Sequence, residues 1–106
     1  ENPYSIKRQL FAKQICLVKN DFLIVPHDND GGVRGIMIAQ IMVLANELNI
    51  PIIRKSLTVN DLHTASEIWL TNAVRGIRWV SSFRETVYRH QMATFFVQQL
   101  NKKYNL

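Results

Sequence analysis

The sequence predicts a small α/β or α+β domain, and three observations carry that expectation. Short β-favouring runs alternate with stretches of helical periodicity along the chain. Turn-forming and helix-stopping residues, among them Asn20, Asp21, Gly31, Gly32 and Asn49, stand at the boundaries between them. A chain of 106 residues that is 47% hydrophobic and 9% aromatic has the composition of one domain with a core and is unlike a disordered segment. Residues 1–106 are therefore read as a single domain.

The elements follow in order. Gln14 to Val18 and Phe22 to Val25 are β-favouring runs separated by Lys19, Asn20 and Asp21, which predicts a β-hairpin whose second strand ends at Pro26. Past His27, Asp28 and Asn29, the run Asp30, Gly31, Gly32, Val33, Arg34, Gly35 feeds directly into a helix predicted over Ile36 to Leu48. Only Gln40, Asn46 and Glu47 interrupt its apolar residues. A helix apolar on nearly every side is usually buried on nearly every side, so a partner subunit or a further domain is expected over it. Asn49 stops this helix, and Pro51 to Arg54 reads as a short strand. Thr58 with Asp61 three residues on resembles a capping box, opening a short helix that reaches Ala65. Glu67 to Thr71 and Ile77 to Phe83 are two further strands around Asn72, Ala73, Val74, Arg75 and Gly76. Met92, Phe95, Phe96, Leu100 and Tyr104 recur at helical spacing and predict a last helix from about Tyr88 to Tyr104.

Charge and cysteine content narrow the setting. The 13 Lys and Arg against 8 Asp and Glu give a net charge of +5, which favours anionic ligands, yet no block of like charge is long enough to mark a nucleic-acid tail. Cys16 stands alone, so no internal disulfide is expected. No charged leader, long apolar span or lipidation signal is visible, and a reducing, cytoplasmic setting is the expectation. The chain opens at Glu1 without a start methionine, which is compatible with processing or truncation upstream.

The glycine run is the leading candidate for chemistry. A glycine-rich turn entering a helix leaves several backbone N–H groups without intrahelical partners, and with the positive end of the helix dipole they suit a phosphate or carboxylate. On the glycines alone, a flexible connection is the commoner reading. The other candidates have plain competitors. Arg75 and Arg78 flank Gly76 and suit substrate carboxylates, but arginines at alternating strand positions are as often solvated. His27, His63 and His90 lack metal-ligand spacing with one another or with Cys16. Ser81 and Ser82 have no local base to activate them. Trp69 reads as a core strand residue and Trp79 as packing at a sheet face or interface rather than on a nucleotide base. Cys16 reads as a small buried apolar group.

Two of these segments together carry a resemblance. The order glycine, Val33, one residue, Gly35, Ile36, Met37 at a helix start, then Leu48, Asn49, Ile50, Pro51, Ile52, then Asp61 and Leu62 through Ala65, Ser66, Glu67, Ile68, Trp69, Leu70, Thr71, Asn72, Ala73 resembles the C-terminal domain of fold-type IV pyridoxal-phosphate enzymes. These are the class IV aminotransferases and 4-amino-4-deoxychorismate lyase. The resemblance covers Ile15 to about Phe83, with residues 1–14 poorly matched. It is closest in wording to the lyase, which favours an Asn-Ala pair where many aminotransferases have Gly-Thr-Ala.

The resemblance implies a mixed sheet with packed helices, like the larger C-terminal domain of that family and incomplete at its N-terminus. It implies pyridoxal 5'-phosphate as cofactor, with its phosphate on the backbone N–H groups of Ile36 and Met37 after Gly35 and closed in by Asn72 and Ala73. It further implies a small-molecule substrate, an amino acid or aminodeoxychorismate, with no nucleic-acid or membrane partner, and a homodimer or a missing N-terminal domain. The implied reaction is pyruvate elimination to give 4-aminobenzoate for folate synthesis, or amino-group transfer. Three departures qualify it. Met37 lacks the hydroxyl of the Thr found in many aminotransferases. Lys7, Lys13 and Lys19 match neither the motif nor the distance of the family's Schiff-base lysine, and Gln9 falls where the family has a glutamate against the pyridine nitrogen. Catalysis by this chain alone is therefore not expected. The alternative is a non-catalytic binding or assembly module of the same fold with an anionic partner.

Overall fold

The structure, a computed structural model, describes residues 15–26, 36–72 and 76–104, and of Ile36 and Asn72 the backbone only. Strands β1 (Ile15–Lys19) and β2 (Phe22–Pro26) form the expected hairpin. Lys19 pairs with Phe22, so the turn shrinks to Asn20 and Asp21, and Asn20 takes the left-handed conformation that asparagine tolerates, with φ of 57°. Helix α1 (Ile36–Glu47) ends as the sequence predicts at Asn49. That residue has φ of 60°, and Ile50 N–H donates back to the Ala45 carbonyl at 2.8 Å while Asn49 N–H donates to Asn46 at 3.2 Å, the two bonds of a Schellman cap. The chain then returns as β3 (Ile52–Lys55), parallel to β2.

Helix α2 (Val59–Thr64) has the predicted capping box. Asp61 N–H donates to the Thr58 hydroxyl at 3.2 Å and Thr58 N–H donates to the Asp61 carboxylate at 2.8 Å. Strands β4 (Glu67–Asn72) and β5 (Gly76–Trp79) complete a five-stranded mixed sheet in the order β3-β2-β1-β4-β5, antiparallel except for the β2–β3 pair.

Two expected elements change. The single strand over Ile77 to Phe83 is replaced by β5 and a separate small hairpin, β6 (Ser82–Phe83) with β7 (Thr86–Val87). Val80 and Phe83 both bury in the core on the α2 side, and side chains three apart cannot face the same way on an uninterrupted strand. The chain therefore bends at Ser81 and reverses at Arg84, whose φ is 57°. The last helix, α3 (Gln91–Tyr104), begins three residues later than expected. Tyr88 is held beneath α2, donating to the Leu62 carbonyl at 2.6 Å, and Arg89 N–H donates to the Ser66 carbonyl at 3.0 Å, which keeps this stretch extended.

The sheet has a core on each face. Cys16, Val18, Leu23, Val25, Trp69 and Ile77 point at α1 and α3, whereas Ile15, Leu17, Ile24, Ile68 and Leu70 point at α2 and the β6–β7 hairpin. The strict alternation follows from the two-residue period of a strand, and the strands are apolar on both sides because both faces are covered. Within this chain α1 is covered on one side. Ile38, Ile41, Leu44 and Ala45 face the sheet, but Ala39 is exposed and Val43 is 49% exposed among the described residues. Among the described residues no helix is long and apolar enough to cross a membrane.

Candidate functional site

The two motifs singled out in the sequence meet at one end of the sheet. α1 begins at Ile36, so the backbone N–H groups of its first turn have no intrahelical acceptor. Gly35 has no side chain with which to cap them, and the first turn carries no acidic residue that would compete for the positive end of the dipole. Across from it, Asn72 and Gly76 form the closing pair of the β4–β5 hairpin. Gly76 has φ of +79°, a conformation that suits glycine, and the position a Cβ would occupy there is 4.0 Å from Met37 Cε. The Met37 side chain is 8% exposed and shares its apolar cluster with Ile77 and Trp69. The start of α1 and the Asn72–Gly76 end of the β4–β5 hairpin thus meet at Met37 and Gly76.

The remaining candidates are placed as follows. Gly35, Ala73 and Arg75 lie outside the described residues, as does His27. Arg78 is exposed on β5 and pairs across the sheet with Leu70, which places it on the α2 face, opposite α1. Ser81 and Ser82 are exposed at the bend and hairpin. His63 packs its ring 5.4 Å from Phe83 and lies 3.4 Å from the Thr86 hydroxyl. His90 stacks on Trp79, with ring centroids 5.0 Å apart and planes 13° from parallel, so an aromatic partner from this chain already occupies one face of that indole. Trp69 is fully buried with Phe96 at 5.0 Å. Among the described residues no three His, Cys, Asp or Glu side chains gather as a metal site would require. Cys16 is fully buried, and burial first, then the nearby Glu67 carboxylate, push its thiol far above its usual range, so it stays protonated and unreactive.

The sequence reading missed Glu67. It sits in β4 at 4% exposure and accepts three hydrogen bonds at 2.9 Å: from the Trp69 indole Nε1–H, from Met92 N–H and from Ala93 N–H. The last two are first-turn amides of α3, so a carboxylate from the sheet caps a helix distant in sequence. A signal was present, since Glu67 falls on the same strand face as Trp69 and is followed directly by the apolar run Ile68, Trp69, Leu70. Its partner could not be read, because 25 residues separate it from Met92. Beside it, at the other end of β4 from Gly76, lies a shallow groove lined by Asn20, Ser66, Arg89, Gln91 and Phe95.

The sequence profile of the family described as amino-transferase class IV matches residues 15–83. Among curated proteins the sequence has no match. Among solved structures it is similar to a 4-amino-4-deoxychorismate lyase from Pseudomonas aeruginosa, at 27% identity and a TM-score of 0.73, covering 85% of this chain and 33% of that one. It is similar to the branched-chain amino acid aminotransferase of Escherichia coli, at 27% identity and a TM-score of 0.70, covering 81% of this chain and 30% of that one. An aminotransferase from Brucella abortus solved with bound PLP has the same fold, with a TM-score of 0.75 at 18% identity, over 87% of this chain and 33% of that one. The chain spans about a third of the length of these relatives. With the profile matching from β1 to β6 and the mixed sheet shared with these structures, the chain belongs to the class IV aminotransferase family.

Proposed function

We propose that this chain is the cofactor-phosphate-binding portion of a pyridoxal-phosphate-dependent lyase of the aminodeoxychorismate type, which releases pyruvate to leave 4-aminobenzoate. The observation that carries the reading is the meeting of the α1 N-terminus with the Asn72–Gly76 end of the β4–β5 hairpin. The donor set fits a phosphate dianion: backbone N–H groups of Ile36 and Met37, the positive end of a twelve-residue helix, and no acidic side chain in its first turn. Asn72 and Ala73 would close the site from the hairpin side. Bound there, pyridoxal phosphate would supply the electron sink for bond breaking at the substrate carbon. This chain's own residues anchor and orient; of the two arginines of the sequence reading, Arg75 is the candidate for the substrate carboxylate, which a guanidinium pairs with bidentately, while Arg78 stands on the sheet face away from α1. The amino-acid or aminodeoxychorismate substrate, a homodimeric assembly and a cytoplasmic setting belong to the same proposal.

The similarity to both a lyase and an aminotransferase at 27% identity leaves the reaction to the bench. For the anchoring role, the chain is titrated with pyridoxal phosphate and with pyridoxal, which lacks the phosphate. The expected result is at least tenfold tighter binding of the phosphorylated form, about 1.4 kcal/mol, with inorganic phosphate competing. Equal affinity for the two overturns the reading. For the reaction, the full-length protein given aminodeoxychorismate should release pyruvate; transfer of an amino group to a 2-oxo acid without pyruvate release would assign it to the aminotransferases instead.

A further inference from the structure

We propose that Met37 is a positioning residue whose side chain holds the Asn72–Gly76 end of the β4–β5 hairpin against the first turn of α1, so that anion affinity in this chain depends on an apolar contact. The inference rests on the reading that these two elements form the phosphate site. Met37 has two parts with two duties. Its backbone N–H lies in the first turn of α1 among the candidate donors, while its side chain is turned into the core, where it clusters with Ile38, Trp69 and Ile77. Its methyl end lies 4.0 Å from where Gly76 would carry a Cβ, an ordinary van der Waals separation.

Gly76 supports this approach through its backbone. Its φ of +79° is open to glycine and strained for other residues, and this backbone conformation, rather than any lack of room, is what the position requires, since a Cβ there would meet Met37 only at ordinary contact distance. An unbranched thioether suits such a contact because its three rotatable bonds let it follow an irregular surface. A threonine at this position would bring a hydroxyl donor, but its side chain stops at the γ atoms and cannot reach Gly76. A hydroxyl on the anion and a packed hairpin are therefore alternatives at this position, and this chain has the second. The two sides of the cup come from segments 35 residues apart in sequence, Asn72 against Met37, so a contact that sets their separation removes a conformational cost that anion binding would otherwise bear.

The test uses the whole chain and three variants, Met37→Leu, Met37→Thr and Gly76→Ala. Hydrogen exchange is read at the backbone amides of Asn72 and Gly76, the pair that closes β4 on β5 and that falls in hydrogen-bonded register with Val80 N–H on the Ile68 carbonyl, and calorimetry reads inorganic phosphate and pyridoxal phosphate. Met37→Leu should keep exchange and affinity within about twofold of wild type, since a volume-conserving apolar swap retains the contact. Met37→Thr should speed exchange at Asn72 and Gly76 and weaken phosphate on the order of tenfold despite the added hydroxyl. Gly76→Ala, which strains the hairpin end and leaves Met37 in place, should weaken phosphate as well. Unchanged exchange in Met37→Thr overturns the contact, and faster exchange with wild-type or tighter phosphate binding overturns the positioning role. If wild type binds neither probe, the phosphate-site reading fails, and the positioning role with it, while the exchange data still report the packing.

Discussion

Glu67 shows how much one buried side chain can organise. Its carboxylate takes two amides of α3 and the Trp69 indole, so truncation strands three donors in a region from which water is excluded. Replacing a capping acceptor costs about 0.5–2 kcal/mol, and each buried donor left unsatisfied adds about 1–3 kcal/mol. Glu67→Ala should therefore lower unfolding free energy by about 2–4 kcal/mol in urea titration, and Glu67→Gln, which keeps one carbonyl oxygen, by less. A loss below about 0.5 kcal/mol in Glu67→Ala would mean that α3 is held by its apolar face alone. Cys16 provides a second test at this scale. Burial and the neighbouring Glu67 both disfavour its thiolate, so a thiol reagent at neutral pH should modify it only as fast as the chain opens. Rapid stoichiometric modification of the folded chain would contradict that placement.

Among the elements, α2 depends most visibly on local sequence. Partial burial pushes the Asp61 carboxyl up, but hydrogen bonds from Lys55 at 2.9 Å and from Thr58 outweigh it and hold Asp61 below its ordinary value. A carboxyl depressed in the folded state stabilises above its unfolded pKa, near 4, and loses that contribution as pH falls through the lower folded value. The stability gap between wild type and Asp61→Asn should accordingly be full at neutral pH and close progressively below about pH 4. Thr58→Ala removes the other half of the box and should cost about 1 kcal/mol. The capping box and the Asn49 stop were legible because both act within a few residues. The bend at Ser81 was not. Ile77 to Phe83 has the composition of a strand, and only the burial of Val80, Phe83 and Tyr88 in one cluster with Leu62 shows why the chain must leave the sheet.

At the level of the whole molecule, α1 separates what this chain covers from what it leaves open. Ile41 is fully buried against the sheet, and Ile41→Ala should cost about 2–5 kcal/mol by chemical denaturation. Val43 on the outer side is 49% exposed, and Val43→Asp should change stability by no more than about 0.5 kcal/mol in the isolated chain. A large loss in Val43→Asp would show that a second copy or another part of the molecule already covers that side. The relatives are about three times as long as this chain, so the same substitution in the full-length protein measures whether the additional polypeptide packs there.

The sequence by itself determined the class of fold, six of the main elements and both caps. Each of these rests on local geometry, meaning periodicity within one segment or a side chain reaching its own backbone. It also singled out both motifs of the candidate site, Ile36 and Met37 on one side and Asn72 on the other, through their resemblance to one family. Tertiary structure alone decided that the motifs touch, that Met37 packs on Gly76 and not on solvent, that Arg78 stands on the opposite face from α1, and that Glu67 caps a helix 25 residues away. These depend on which face of which strand meets which helix, and that is settled by the register of the sheet and by burying two separate cores at once.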